Sequence, residues 1–158
     1  VLWGISAGAL GSPGADGGGI ANAYYGWDNF HFTSTQRDNP LIGGPHADPD
    51  GDGRPNWAEY ALGSDPWTPD VAPVGFSLAS GAEGRYPALV FDRAANALDV
   101  QYALWATGDL QWELWAPVGA AVSEAVPLGD GRETVTLRET EPATAGRRFL
   151  KLRVTFGE

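Results

Sequence analysis

The sequence contains no cysteine and no methionine in its 158 residues. Without Cys, neither disulfide bridges nor thiolate metal sites can form, so a domain that works outside the cell needs another means of stabilisation. Because even position 1 is not Met, we expect a processed or excised segment. No run of about 18 apolar residues is present, so the sequence predicts no membrane-spanning helix.

Positive charge is scarce. The chain has 10 Lys and Arg against 20 Asp and Glu, a formal net charge of −10. Residues 38–70 contain seven acidic residues and one basic residue, 1 − 7 = −6 of that total. No basic stripe exists that could release phosphate counterions, so we expect no nucleic-acid partner. Carboxylates concentrated in one short region repel one another, which instead indicates a bound cation.

The residues that are abundant favour β structure. Gly and Pro together make up 22 + 12 = 34 residues, which is typical of a chain rich in turns, and 43% of the residues are hydrophobic, enough for a core. The length corresponds to one domain or two small ones. We therefore expect a folded, mainly β protein.

The most specific motif is an acidic stretch from Asp48 to Glu59. It matches the calcium-loop pattern D-x-D-x-D-G-x5-E, with a glycine at the sixth position, where the chain must turn sharply. Calcium prefers six to eight oxygen ligands, and the pattern supplies carboxylates, a backbone carbonyl at position 7 and an amide at position 9. The predicted Ca²⁺ ligands are Asp48, Asp50, Asp52, Arg54 (through its carbonyl), Asn56 and Glu59.

The flanks of the loop distinguish it from an ordinary EF-hand. Residues 39–47 contain two Pro and two Gly, so no helix is expected to enter the loop. A short helix is expected to leave it, capped by Asn56, over 57–62, and to stop at Gly63. A calcium loop with a helix on one side only fits a static structural site better than a calcium sensor, because a sensor needs two helices that reorient. The segment from Ser64 to Asp70 has two interpretations. Either Asp65 or Asp70 completes a second cation site, or the segment is a linker stiffened by its prolines.

Residues 48–66, DPDGDGRPNWAEYALGSDP, resemble the calcium loops of thrombospondin type 3-like and dockerin-like repeats in secreted bacterial proteins. They are also similar to a segment of large surface proteins of Verrucomicrobia-type bacteria, which precedes a C-terminal β-module ending in a strand like 147–154, RRFLKLRV. The resemblance implies an extracellular part without catalytic activity. Dockerins bind a partner through two paired loops, whereas this chain has one.

Three regions are predicted. Residues 1–37 are expected to form N-terminal strands, at 1–7 and 24–33, of a jelly-roll-like or shared sheet whose other strands come from elsewhere. Residues 38–72 form the calcium loop and a linker. Residues 73–158 are expected to form a fibronectin type III-like antiparallel sandwich. Its predicted strands are 74–79, 86–93, 98–106, 111–117, 133–139 and 147–156.

Two other patterns invite a functional interpretation. Gly4-Ile5-Ser6-Ala7-Gly8 matches the G-x-S-x-G of hydrolases, but the residues that follow cannot form the helix that such a site needs, so we expect no catalysis. Trp105, Trp112 and Trp115 lie close together in sequence. They indicate either a carbohydrate-binding module or aromatic residues that fill the core and interfaces.

The sequence thus predicts a secreted, calcium-stabilised structural module at the cell surface. Extracellular calcium sites have dissociation constants of about 10⁻⁴ to 10⁻³ M, which suits occupancy outside cells. The expected partners are other copies of the chain or other surface-protein domains, because an unpaired strand is a template for pairing with another chain. The alternative is a carbohydrate-binding module with a glycan ligand.

Overall fold

A computed structural model describes residues 21–70, 74–111, 114–144 and 146–156. This part of the chain begins with three short helices and continues with seven strands. The helices are α1 (Ala21–His31), α2 (Ser34–Arg37) and α3 (Asn56–Leu62). The strands are β1 (Gly75–Gly81), β2 (Gly84–Ala94), β3 (Val100–Thr107), β4 (Ala116–Pro117), β5 (Ala120–Pro127), β6 (Arg132–Glu139) and β7 (Phe149–Phe156).

The strands form two antiparallel sheets. The larger has the order β1-β2-β6-β5 and the smaller the order β4-β3-β7. Strand β7 lies over β2, and β3 lies over β6, so apolar side chains of both sheets meet in one core. This is the arrangement of a β-sandwich, and the predicted mainly β architecture is confirmed.

The alternation of side chains explains which face of each strand is buried. In β7, Leu150, Leu152 and Val154 are buried, whereas Lys151 and Arg153 on the other face remain partly exposed. In β6, Val135 and Leu137 alternate in the same way with polar residues. A period of two places every second residue on the same face, as the sequence predicted for the final strand.

The strand predicted over 24–33 is wrong, because residues 21–31 form the helix α1. The density of aromatic residues favoured a strand, since aromatic side chains are common in sheets. However, Tyr24 and Trp27 also have helical spacing, and both pack on Tyr60 of α3, with ring centroids 5.3 and 5.9 Å apart. This tertiary contact stabilises the helix. The strand predicted over 1–7 lies outside the described residues.

Strand β5 was not predicted. Of the predicted strand 111–117, whose residues 112 and 113 are not described, the described part contains the two-residue strand β4. Most of β5 is exposed, and its sequence, AAVSEAVP, lacks the clear apolar alternation of a half-buried strand. A bulge between Val122 and Glu124 shifts its register with β6. Its place in the sheet therefore comes from hydrogen bonds to β6, which no pattern within β5 reveals.

Helix α3 is buried along its whole length and belongs to the same core as the strands. The hydroxyl of Tyr60 donates a hydrogen bond to Asp99 (2.5 Å), and that of Tyr102 donates to the carbonyl of Ala61 (2.5 Å). Gly63 ends the helix in the left-handed conformation, with φ 71°. The helix predicted over 57–62 is present, but it begins one residue earlier, at Asn56, and Pro55 rather than Asn56 occupies the N-cap position. The acidic loop lies directly on its N-terminal side.

None of the described helices has the length and apolar character needed to cross a membrane.

Candidate metal centre

The acidic loop is a series of tight turns held by its own aspartates. The two oxygens of Asp48 accept hydrogen bonds from the backbone N–H groups of Gly51 and Gly53, both at 2.9 Å. Asp50 Oδ1 accepts from the N–H of Asp52 at 3.1 Å. Gly51 and Gly53 have φ values of 76° and 93°, which only glycine adopts at little cost. The glycines therefore permit the turn that brings the carboxylates together.

Asp48, Asp50 and Asp52 each place a carboxylate oxygen within 4.8 Å of the other two. Among the described residues, they form the one group of three or more acidic side chains close enough to share a metal ion. Two ligands on opposite sides of a Ca²⁺ ion, each 2.3–2.6 Å from it, lie about 5 Å apart. The spacing of the three aspartates is therefore compatible with calcium, and Asp50 Oδ2 is buried without a hydrogen-bond partner.

Arg54 contributes a contact that the sequence did not predict. Its guanidinium donates hydrogen bonds to Asp52 Oδ2 (2.6 Å) and Glu59 Oε1 (2.8 Å), and it also pairs with the carboxylate of Asp70. The Arg54 side chain is buried, so these charge-assisted bonds lie in a region of low dielectric constant. Arg54 thereby connects the loop, helix α3 and the segment that precedes β1.

One cation does not balance the carboxylates around it. Burial raises the pKa of the Glu59 carboxyl to about 7, although the nearby Arg54 acts in the opposite direction. Burial also raises the pKa of Asp50. Glu59 is almost completely buried, and its second oxygen has no hydrogen-bond partner. This region therefore favours an additional positive charge, which either a proton or a metal ion can supply.

Asn56 links the loop to the chain that precedes it. Its side-chain amide donates to the carbonyls of Ile42 (2.7 Å) and Gly44 (2.9 Å), and the residue is fully buried. The N–H of Asn56 also bonds to the carbonyl of Ala47 at 2.8 Å. These bonds join the two ends of the acidic loop, so its shape does not depend on an entering helix.

Of the six predicted ligands, the structure groups three, Asp48, Asp50 and Asp52. Glu59 lies outside this group and pairs with Arg54, while Asn56 uses its amide nitrogen to hold the preceding segment. The ligand roles of Arg54, Asn56 and Glu59 stay predictions. An arginine among several acids in the sequence was the available signal for the ion-pair network.

Among the described residues, neither Asp65 nor Asp70 belongs to a group of three or more side chains close enough to share a metal ion. Asp65 Oδ1 accepts a hydrogen bond from the N–H of Trp67 and lies 3.8 Å from His31 Nδ1. Asp70 pairs with Arg54, and its N–H donates to Asp52 Oδ2 at 3.2 Å. Asp70 thus connects the segment before β1 to the loop.

Comparison of the chain with protein-family models, curated proteins and solved structures gave no match. The resemblance to thrombospondin type 3-like and dockerin-like loops stays a prediction, carried by residues 48–66 alone.

The tryptophans form a second notable arrangement, on the outer face of the smaller sheet. Lys151 Nζ lies 4.6 Å from the ring centroid of Trp115 and 6.0 Å from that of Trp105. The guanidinium of Arg153 lies 4.7 Å from the ring of Trp105. The two cations of β7 thus lie near Trp105 of β3 and Trp115, which precedes β4, and each contact is of the cation–π type. Trp112 lies outside the described residues.

Proposed function

We propose that this chain is a non-catalytic, calcium-stabilised structural module that serves as a building block of an extracellular or cell-surface assembly. The observation that carries the calcium assignment is the group of three aspartate oxygens within 4.8 Å, held by backbone N–H groups of the same loop. Ligands fixed before the ion arrives bind it without a further ordering cost.

The position of the loop supports a structural role for the ion. Asn56 and Arg54 connect the loop to residues on both sides of it, and α3 is buried in the core of the sandwich. An ion in the loop would therefore hold the N-terminal helices against the sheets. Because the chain has no Cys, calcium would take the stabilising role that disulfides have in many secreted domains.

Two finer assignments belong to the same proposal. The sandwich is proposed to be fibronectin type III-like, supported by its seven strands and wholly antiparallel pairing. An extracellular location is proposed because sites of this type have dissociation constants of about 10⁻⁴ to 10⁻³ M, which match calcium levels outside cells.

A calcium titration of thermal stability tests the metal assignment. For a dissociation constant of about 10⁻⁴ M, 10 mM Ca²⁺ stabilises the folded state by about 2.7 kcal/mol, which raises the melting temperature by several degrees. Asp50→Asn removes a negative ligand and should abolish most of this rise. Calorimetry with and without chelator measures both effects.

The matched control is Glu124→Gln, which removes one negative charge from an exposed position on β5. It should keep the full response to calcium. Equal melting temperatures of the unmodified protein in calcium and in chelator would reject the metal assignment, since an ion that binds only the folded state must stabilise it.

The alternative is a carbohydrate-binding module that uses the tryptophans of the smaller sheet. Trp105 and Trp115 are partly exposed on one face, as sugar stacking requires. However, a cation already lies over each ring, so at least one face of each indole is occupied. We therefore prefer the structural role. Retardation in glycan-affinity gels that is lost in Trp105→Ala would favour the alternative.

A further inference from the structure

The two sheets of the sandwich have different widths, and strand β1 extends past the smaller sheet. Phe76 and Leu78 lie opposite Leu89 and Pro87 of β2, on the face of the larger sheet that is turned toward the core. Even so, Phe76 is 56% exposed and Leu78 is 38% exposed. Large apolar side chains on an inner face are normally covered, so this part of the core lacks a cover among the described residues.

The edge of β7 beside this strip is open. The carbonyl of Leu104 on β3 accepts a hydrogen bond from Val118, so the peptide groups of Leu104 point away from β7. Its partner Leu152 therefore directs its own N–H and C=O away from β3. The same holds for Leu150 and Val154, and the described part of the chain supplies no strand on that side. An additional strand would find a row of donors and acceptors there.

The segment Val1–Ala7, which lies outside the described residues, has a complementary sequence. As a strand it would place Val1, Trp3 and Ile5 on one face, and Leu2, Gly4 and Ser6 on the other. Its seven residues equal the length of β1, which also has seven. Residues 8–20 separate the segment from α1 and could span at most roughly 45 Å, enough to reach a neighbouring molecule.

We propose that the strip between β1 and β7 receives the Val1–Ala7 segment of a second copy of the chain as an additional strand. This rests on the proposed role as a building block of an assembly, and it names the contact that joins the copies. The new strand would pair with β7, and its apolar face would cover Phe76 and Leu78.

The direction of the strand favours a second copy over the chain's own segment. Helix α1 begins near the C-terminal end of β7, since the rings of Tyr24 and Phe156 lie 6.5 Å apart. A segment that ran straight from α1 into its own strip would lie parallel to β7, and antiparallel pairing within one chain would require residues 8–20 to run back along the whole length of β7. All described strand pairs are antiparallel, and a segment from a neighbour can adopt that more stable pairing.

The donor segment and the acceptor strip are different surfaces of the molecule. A contact between them is heterologous, so each copy that gives its segment to one neighbour still has an open strip for another. Repetition of this contact produces a filament or a ring, rather than a closed symmetric dimer.

A mixing experiment with two full-length variants tests the proposal. Ile5→Asp damages the donor segment and leaves the strip intact, whereas Phe76→Asp damages the strip and leaves the donor intact. Under conditions in which the unmodified chain assembles, each variant alone should remain monomeric. Their mixture should form 1:1 dimers with twice the mass of the chain, because one functional donor meets one functional strip. Light scattering after size-exclusion chromatography measures the masses.

Two further substitutions serve as controls, both at half-exposed valines on the other edge strand, β5. Val122 pairs with Leu137 and faces inward, whereas Val126, beyond the bulge, pairs with Thr134 on the opposite face. Val122→Asp and Val126→Asp should both leave assembly unchanged. Loss of assembly in Val122→Asp but not in Phe76→Asp would place the contact at the wrong edge and overturn the proposal.

Because the chain has no cysteine, a disulfide can report which copy supplies the strand. In the double variant with Ile5→Cys and Phe76→Cys, oxidation should link different chains. A disulfide within one chain, or a mixture of the two aspartate variants that stays monomeric, would overturn the proposal. If both aspartate variants still assemble, the strand contact is rejected but the proposed function is not. If the unmodified chain never assembles, both the strand contact and the proposed role in an assembly are rejected.

Discussion

Arg54 is the residue at which carboxylates from three parts of the chain meet. Its guanidinium contacts Asp52 in the loop, Glu59 in helix α3 and Asp70 before β1. A sequence motif treats position 54 as a carbonyl ligand only, because the backbone is what a calcium loop uses there. The side chain has a separate role, which is to neutralise acids that would otherwise be buried together.

Substitution of Arg54 by Met keeps much of the side-chain volume and removes the charge. We expect Arg54→Met to lower the free energy of unfolding by about 3–5 kcal/mol, because buried carboxylates lose their partner. Urea denaturation in saturating calcium measures the loss. Arg147→Met is the matched control at an exposed position and should change stability by less than about 0.5 kcal/mol. An unchanged urea midpoint for Arg54→Met would show that the ion pairs contribute nothing.

At the scale of single elements, α3 depends on how it ends. Gly63 has φ 71°, and a Cβ atom at this position would lie 2.8 Å from the side chain of Arg132 and 3.1 Å from the backbone of Ala94. The sequence indicated a helix stop at this glycine, and the structure adds the close approach to the β2 and β6 ends. Both features exclude a larger residue.

Two glycine substitutions should have opposite effects. Gly63→Ala should destabilise the protein by about 1–2 kcal/mol or more, since a left-handed alanine is strained and the site is crowded. Gly26→Ala, inside α1 with no atom near the new methyl group, should stabilise it by up to about 1 kcal/mol through helix propensity. Thermal unfolding of both variants checks the signs. A stabilising Gly63→Ala would contradict the cap geometry.

At the scale of the whole molecule, helix α3 is part of one core with the sheets, and the loop directly precedes this helix. Removal of calcium should therefore lower the stability of the whole fold and also loosen the loop itself. The amides of Gly51 and Gly53, which donate to Asp48, should lose additional protection in chelator through local opening, whereas those of β2 and β6 should exchange faster only to the extent that global stability falls.

Hydrogen exchange followed by mass spectrometry measures this difference. Asp50→Asn should show the faster exchange in the loop with or without calcium, whereas Glu124→Gln should behave as the unmodified chain. Equal exchange rates of the loop amides with and without chelator would contradict the expectation, because they would mean that the ion does not hold the loop.

The sequence by itself determined local features. The acidic loop has a carboxylate at every second position and a glycine directly after the third, and β7 has an apolar residue at every second position. Each of these patterns involves neighbours within a few residues of the sequence, so its structural consequence could be predicted from spacing. The grouping of Asp48, Asp50 and Asp52, the short helix after them and most strands of the sandwich follow from such patterns.

Only the tertiary structure decided what depends on partners distant in sequence. Residues 24–31 are helical because one face packs on Tyr60, and β5 is a strand because β6 supplies its hydrogen bonds. The guanidinium of Arg54 contacts Asp70, which is 16 residues away in sequence. The exposure of Phe76 could be recognised only from the position of the smaller sheet. These features depend on contacts between elements, and the energies of such contacts cannot be predicted from local sequence patterns.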